Sequence, residues 1–237
     1  MIESNNINEF NSDVNKNDGY LYTTNAKFSS IISNRRITKE ISNNIKQESK
    51  KIIDIGCGDG TYTKELKLSH TEKTFFGFDP ATDAINVAKN KYKDINFYSG
   101  NILDKKTFPD EVFDLGILRG VIHHISNPSQ GIENSTYLAN RIILVEPNGN
   151  NPILKLIEKK SKYHILHEEQ SFTSKQLKKW ISESGCKIVK LDYIGFVPFF
   201  FPTFLSKIIY FFQPLLERIY PLKKYFGAQI VIVFEKE

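Results

Sequence analysis

This sequence predicts an α/β protein built on a mostly parallel sheet, on three observations. Lys51 to Gly60 passes from β-preferring apolar residues into three alternate glycines, as a buried parallel strand entering a sharp turn does. Tyr62, Leu66 and Leu68 then fall at roughly helical spacing, so the glycines mark a strand end that meets a helix N-terminus. Further apolar, strand-like runs follow, several separated by helix-like segments, which is the alternation that builds such sheets.

The elements follow in order. Residues 1–18 are rich in Asn, Ser, Asp and Glu and are expected to fray, leaving 19–237 as one domain. Phe28, Ile31, Ile32, Ile37, Ile41 and Ile45 give 19–49 a mostly helical pattern, a cap ahead of the first strand. Strands are predicted at 52–55, 74–78, 95–99, 112–118, 141–146, 187–193 and 228–234. Helices are predicted from about Ala81, through Ile153 to Ile157, and from Ser171 through Leu177, Trp180 and Ile181 to a stop at Gly185. Residues 50–146 make a core unit and 147–237 a second half, with an aromatic-rich insertion at 194–226.

Composition excludes several classes. The 237 residues suffice for one α/β domain with additions. A formal charge of +5 without a basic block does not call for nucleic acid as a partner. Cys57 and Cys186 alone suggest reduced thiols in a cytoplasm, with Cys57 a small packing residue rather than a nucleophile. The polar N-terminus does not read as a secretory signal.

A strand, glycine turn and helix bring bare backbone amides close to a ligand. The spacing is Gly-x-Gly-x-Gly, not the Gly-x-Gly-x-x-Gly that a nicotinamide oxidoreductase predicts. Asp79, at the end of the second strand and about 20 residues beyond the turn, is placed to accept from the hydroxyls of a ribose; it also suits an N-cap.

Asp54-x-Gly56-x-Gly58-x-Gly60 resembles the first motif of the class I S-adenosylmethionine-dependent methyltransferases, and the next three strand ends match that family in order and separation. The resemblance implies a Rossmann-like seven-stranded sheet with helices on both faces, its last strand antiparallel between the fifth and sixth. It implies S-adenosylmethionine as cofactor, held by Asp54, Gly56, Cys57, Gly58, Gly60, Asp79, Pro80, Asn101, Ile102, Arg119 and Gly120. At Asn101 the family usually has an acid for the adenine amino group; an amide can accept there and donate to a ring nitrogen. An N-terminal helix over the cofactor makes Tyr22, Arg35 and Arg36 candidates too.

His123 and His124 follow the fourth strand, where the family's crevice faces the transferred methyl, so either is a candidate base for a hydroxyl or amine; either can instead cap or pack a helix. The turn-forming run after strand five offers Glu146, Asn148 and Asn150 to a polar small-molecule acceptor, or makes a plain turn. His164 and His167 are substrate-facing candidates; without a His-Glu-x-x-His pattern no metal is expected. The acceptor expected is a small molecule, with a sugar or lipid-linked glycan as one guess. A non-catalytic protein that binds S-adenosylmethionine or a partner, and a nicotinamide-dependent oxidoreductase, are the alternative classes.

Residues 193–226 hold 12 of the chain's 30 aromatics, and from Ile194 to Gln213 the only charge is Lys207. Pro198, Pro202 and Pro214 are expected to cut the run into pieces too short to cross a bilayer. A lid over the pocket, a homodimer face and a peripheral contact with anionic lipid all fit this composition.

Overall fold

The computed structural model describes residues 7, 11, 12, 14, 20, 23, 27–160, 170–199 and 201–237. Its sheet has seven strands in the order β3-β2-β1-β4-β5-β7-β6. β1 (Lys51–Ile55) lies parallel between β2 (Thr74–Asp79) and β4 (Phe113–Arg119). β3 (Asn96–Ser99) pairs parallel with β2, and β5 (Ala139–Pro147) with β4. β7 (Gln229–Lys236) inserts antiparallel between β5 and β6 (Cys186–Ile194), as the resemblance implies.

The central strands carry apolar residues on both faces because helices cover both. Alternate residues feed two cores: Ile53, Ile55 and Leu118 point into one, Ile52, Leu115 and Ile117 into the other. The second core receives Ile37 and Ile41 of α1 (Phe28–Asn44), Leu66 of α2 (Thr61–Ser69), and Ile85 and Ala88 of α3 (Thr82–Lys91).

The first core receives Ile132 and Leu138 of α4 (Pro128–Leu138), then, beyond α5 (Pro152–Lys160), Leu177 and Ile181 of α6 (Ser174–Glu183). The sequence pattern gives no sign of α4, because its buried face includes Gly131, Asn134, Ser135 and Thr136 as well as apolar residues. Asn134 Nδ2 donates to the Ile102 carbonyl at 2.8 Å, so a polar helix face is satisfied against the loop after β3.

Two expectations are corrected here. Pro202 and Pro198 precede α7 (Thr203–Leu216), but Pro214 sits inside its last turn and the helix runs through it; α8 (Tyr220–Phe226) follows. Val14, expected to fray, is 1 % exposed, clustering with Tyr20, Ala81 and Ala84, while Asn11 Oδ1 accepts from the Asp83 N–H at 3.1 Å.

Candidate functional site

The strand order turns back on itself at β1, with β2 on one side and β4 on the other, and ligands in such sheets bind at the carboxyl ends beside that point. Beyond β1 the chain bends through Gly56, Gly58 and Gly60, each with φ between +55° and +79°. A Cβ on Gly56 would come within 2.3 Å of Val121 Cγ2, and one on Gly60 within 2.7 Å of Phe97 Cζ. The turn is thus fixed by its own packing as well as by backbone conformation.

Two carboxylates brace it. Asp54 Oδ2 accepts from Thr63 Oγ1 at 2.6 Å, and burial pushes its carboxyl up to about 6. Asp79 accepts from the Gly58 N–H at 2.9 Å and the Ala81 N–H at 2.8 Å. Burial raises it to about 6 against those two donors, with the Asp54 and Asp59 charges adding to the rise. Each Asp79 oxygen spends one lone pair on these bonds and keeps acceptor capacity, as a pair of ribose hydroxyls requires.

A cleft of about 790 Å³ opens over this turn. Its wall brings together Asp54, Gly56, Cys57 and Gly58 with Asp79 and Pro80, Asn101 and Ile102, Arg119 and Gly120, and both His123 and His124. Gly60 is not on the wall; it is the N-cap of α2. Cys57 is buried, its thiol pushed well up by burial, and a Cβ at Gly77 would strike its sulfur at 2.7 Å, so it packs rather than reacts.

Arg119 crosses the cleft to the helical cap. Its guanidinium donates to Asn34 Oδ1 at 2.9 Å and Thr38 Oγ1 at 3.0 Å and lies 3.7 Å over the Tyr62 ring. The other cap arginines do not join it: Arg36 pairs with Glu40 at 2.8 Å and Glu217 at 2.9 Å, and Arg35 is exposed. Tyr22 lies outside the described residues, as do His164 and His167.

The run after β5 departs most from expectation. Glu146 is 0 % exposed and accepts from the Val121 and Ile122 N–H groups, both at 2.8 Å, and from His123 Nδ1 at 2.6 Å. It therefore positions the loop after β4 instead of meeting an acceptor. Asn148 is equally buried, donating to the Lys224 and Gly227 carbonyls at 2.9 and 3.0 Å and accepting from Asn150. Asn150 bonds Asn148 and Ser174, and neither asparagine reaches the cleft wall. These amides hold a turn whose partners lie across the fold.

Further residues complete the site. Asp59, between the last two glycines, accepts from the Tyr20 N–H at 3.0 Å and Thr23 Oγ1 at 2.6 Å, tying the N-terminal segment to the turn. Leu154, Ile157, Pro198 and Phe199 form an apolar part of the wall. Pro198 and Phe199 belong to the stretch for which a lid over the pocket is one expectation, whereas Leu154 and Ile157 share a predicted helix with Ile153 and Leu156, which do not line the cleft.

A family model described as a methyltransferase domain matches residues 46–185. An uncharacterized protein of Methanocaldococcus jannaschii is 28% identical over 209 residues, 85% of this chain and 87% of its own length. An uncharacterized methyltransferase of Schizosaccharomyces pombe is 32% identical over 92 residues; that match spans 38% of this chain and about a third, 35%, of the yeast protein. A S-adenosylmethionine-dependent methyltransferase from Archaeoglobus fulgidus superposes with a TM-score of 0.60 at 17% identity, covering 87% of this chain and 93% of that one. The plantazolicin methyltransferase, solved with S-adenosylhomocysteine, gives a TM-score of 0.64 at 18% identity over 99% and 96% of the two chains. At such identities the superpositions speak for the fold.

Proposed function

Because this chain belongs to the methyltransferase-domain family, with S-adenosylmethionine as its methyl donor, we propose that it methylates an oxygen or nitrogen of a small molecule, His123 serving as the base. When bound, the cofactor supplies an electrophilic methyl group on a sulfonium. The residues present fit it: a glycine turn with bare amides, Asp79 with acceptor capacity for two hydroxyls, and Asn101 with Ile102 for a purine edge and face.

The observation that carries the reading is the His123–Glu146 pair at 2.6 Å, its carboxylate buried and its imidazole partly so. A carboxylate only accepts, so the His123 proton resides on Nδ1 and Nε2 is the basic nitrogen. A ring held in one tautomer on the cleft wall takes a proton from a hydroxyl or ammonium without reorienting. His124 lies against it, ring centroids 3.8 Å apart and planes tilted by 40°, and supports the same ring. Beyond holding donor and acceptor in line, little else is asked of the protein.

Of the two features that suggest a sugar or lipid-linked glycan, the polar loop after β5 and the aromatic insertion, the first spends Glu146, Asn148 and Asn150 within the fold. Leu154, Ile157, Pro198 and Phe199 instead favour an acceptor with an apolar body that carries the hydroxyl or amine.

Calorimetry with S-adenosylmethionine and S-adenosylhomocysteine, on wild type and Asp79→Ala with NAD as control, tests the cofactor site. S-adenosylhomocysteine release across a panel of apolar alcohols and amines, in wild type, His123→Ala and His124→Ala, tests the base. Loss confined to His123→Ala supports the assignment; equal activity in that variant overturns it.

A further inference from the structure

α7 is turned inside out with respect to water. The residues it buries are the small or polar Ser206, 0 % exposed, and Gln213, 6 % exposed, one heptad apart. Ser206 Oγ donates to the Pro202 carbonyl at 3.0 Å, and Gln213 Oε1 accepts from the Phe196 N–H at 3.2 Å. Phe204 and Phe211, also one heptad apart, are 73 % and 77 % exposed. Leu205, Ile208, Phe212 and Leu215 join them, and the surface continues over α8 through Tyr225 and Phe226. A helix that offers its polar side to the protein and its large apolar side outward needs a non-aqueous neighbour.

Charge indicates which neighbour. Between 193 and 226 the chain has one acid, Glu217, and it is engaged by Arg36. The cations are Lys207, Arg218, Lys223 and Lys224, of which Lys223 pairs with Asp192. A second copy meeting this face by two-fold symmetry would bring Lys207, Arg218 and Lys224 toward their own equivalents with no spare acid in the segment to neutralise them. An anionic lipid surface supplies the missing charge, accepts phenylalanine side chains below its headgroups, and lets lysine and tyrosine ends stay at the wet level. Fourteen residues make a helix about 21 Å long, too short to cross hydrocarbon but suited to lie in its boundary.

We propose that α7 and α8 form an interfacial docking face for anionic lipid. The face adjoins the cleft: Phe199, just ahead of α7, is on the cleft wall, and Ile153 and Leu156 of α5 are exposed beside wall residues Leu154 and Ile157. Docking there presents the apolar wall to the lipid layer, so the acceptor is an amphiphile held in that layer. The acceptor's class rests on the methyl-transfer reading; the docking itself does not.

The test is co-sedimentation with vesicles of phosphatidylcholine alone or mixed equally with phosphatidylglycerol. Wild type is compared with Phe204→Ser/Phe211→Ser and with Lys207→Glu/Arg218→Glu, all exposed positions. Wild type pellets with the anionic vesicles, and each lost phenylalanine weakens partitioning roughly tenfold. The charge variant loses the preference for phosphatidylglycerol. S-adenosylhomocysteine binding by calorimetry stays at the wild-type level in both variants, which separates failure of docking from failure of the cofactor site. Wild type left in the supernatant with both vesicles overturns the proposal. So does a lipid-free dimer, seen by sedimentation velocity, that the double phenylalanine variant converts to monomer.

Discussion

Glu146→Gln separates the two tasks that the buried carboxylate performs. One oxygen, Oε1, holds the Val121 and Ile122 amides; the other, Oε2, faces His123 Nδ1. The glutamine oxygen can keep the backbone pair, but its NH₂ then meets Nδ1 and can only donate. The imidazole must accept at Nδ1 and carry its proton on Nε2, so the nitrogen assigned to the acceptor loses its lone pair. Removing a general base costs about 10²–10⁴ in rate, or about 3–5 kcal/mol of transition-state stabilisation. Stability should move less. Replacing a charged acceptor by a neutral one costs about 1 kcal/mol per hydrogen bond, partly offset because no charge remains buried.

Glu146→Ala provides the contrast, since it orphans two N–H groups in the interior at about 1–3 kcal/mol each and leaves a cavity besides. Urea unfolding should therefore rank wild type above Glu146→Gln and both above Glu146→Ala. Long-range ¹⁵N–¹H correlation spectra of the ring nitrogens report the tautomer without any acceptor, and single-turnover S-adenosylhomocysteine formation reports the rate. A glutamine variant that keeps its proton on Nδ1, or that turns over like wild type, would refute the base assignment and leave His123–Glu146 as a structural pair.

Asp79 sits near pH 6 because it is buried, whereas a ligand donating to it favours the ionised form. The free protein holds that proton up to about pH 6, so S-adenosylhomocysteine affinity should fall by about tenfold from pH 7 to pH 5, with proton release on binding visible in calorimetry across buffers; a flat profile argues against the contact. Glu40 behaves in the opposite sense. Burial raises its carboxyl, but Lys190 and Arg36 outweigh that and bring it down to about 2, so its stabilisation is present above pH 4.5 and lost as pH falls toward 2. Glu40→Gln should lower unfolding free energy at pH 7 by about 2–4 kcal/mol and flatten the acid limb of a stability–pH curve. Gly56→Ala places a Cβ 2.3 Å from Val121 Cγ2 at φ +79° and should cost about 1–3 kcal/mol, with S-adenosylhomocysteine binding lost; thermal melts and calorimetry check it.

What the sequence revealed was whatever depends on neighbours in the chain. Ile52 to Gly60 is such a unit: strand propensity, positive-φ glycines and a following helix are local properties, and the cleft wall from Asp54 to Gly120 is assembled from strand ends in fixed order. α4 was invisible because its inner face binds a carbonyl through Asn134 and packs small residues, so burial left no apolar period. Glu146 shows the harder limit. A carboxylate at the end of a strand has the same local appearance whether it faces a substrate or the interior. Here two amides and an imidazole from the loop after β4 converge on it, 23 to 25 residues away in the chain. Asn148 and Asn150 repeat the case, their partners arriving from residues 174, 224 and 227. α7 is the reverse: its apolar residues were plain in the sequence, but the side that faces the protein is decided by Ser206 and Gln213, whose inward bonds exist only in the fold. Polar residues thus carried the information that apolar periodicity could not, because a buried hydrogen-bonding group must have a partner and that partner fixes which way its element faces.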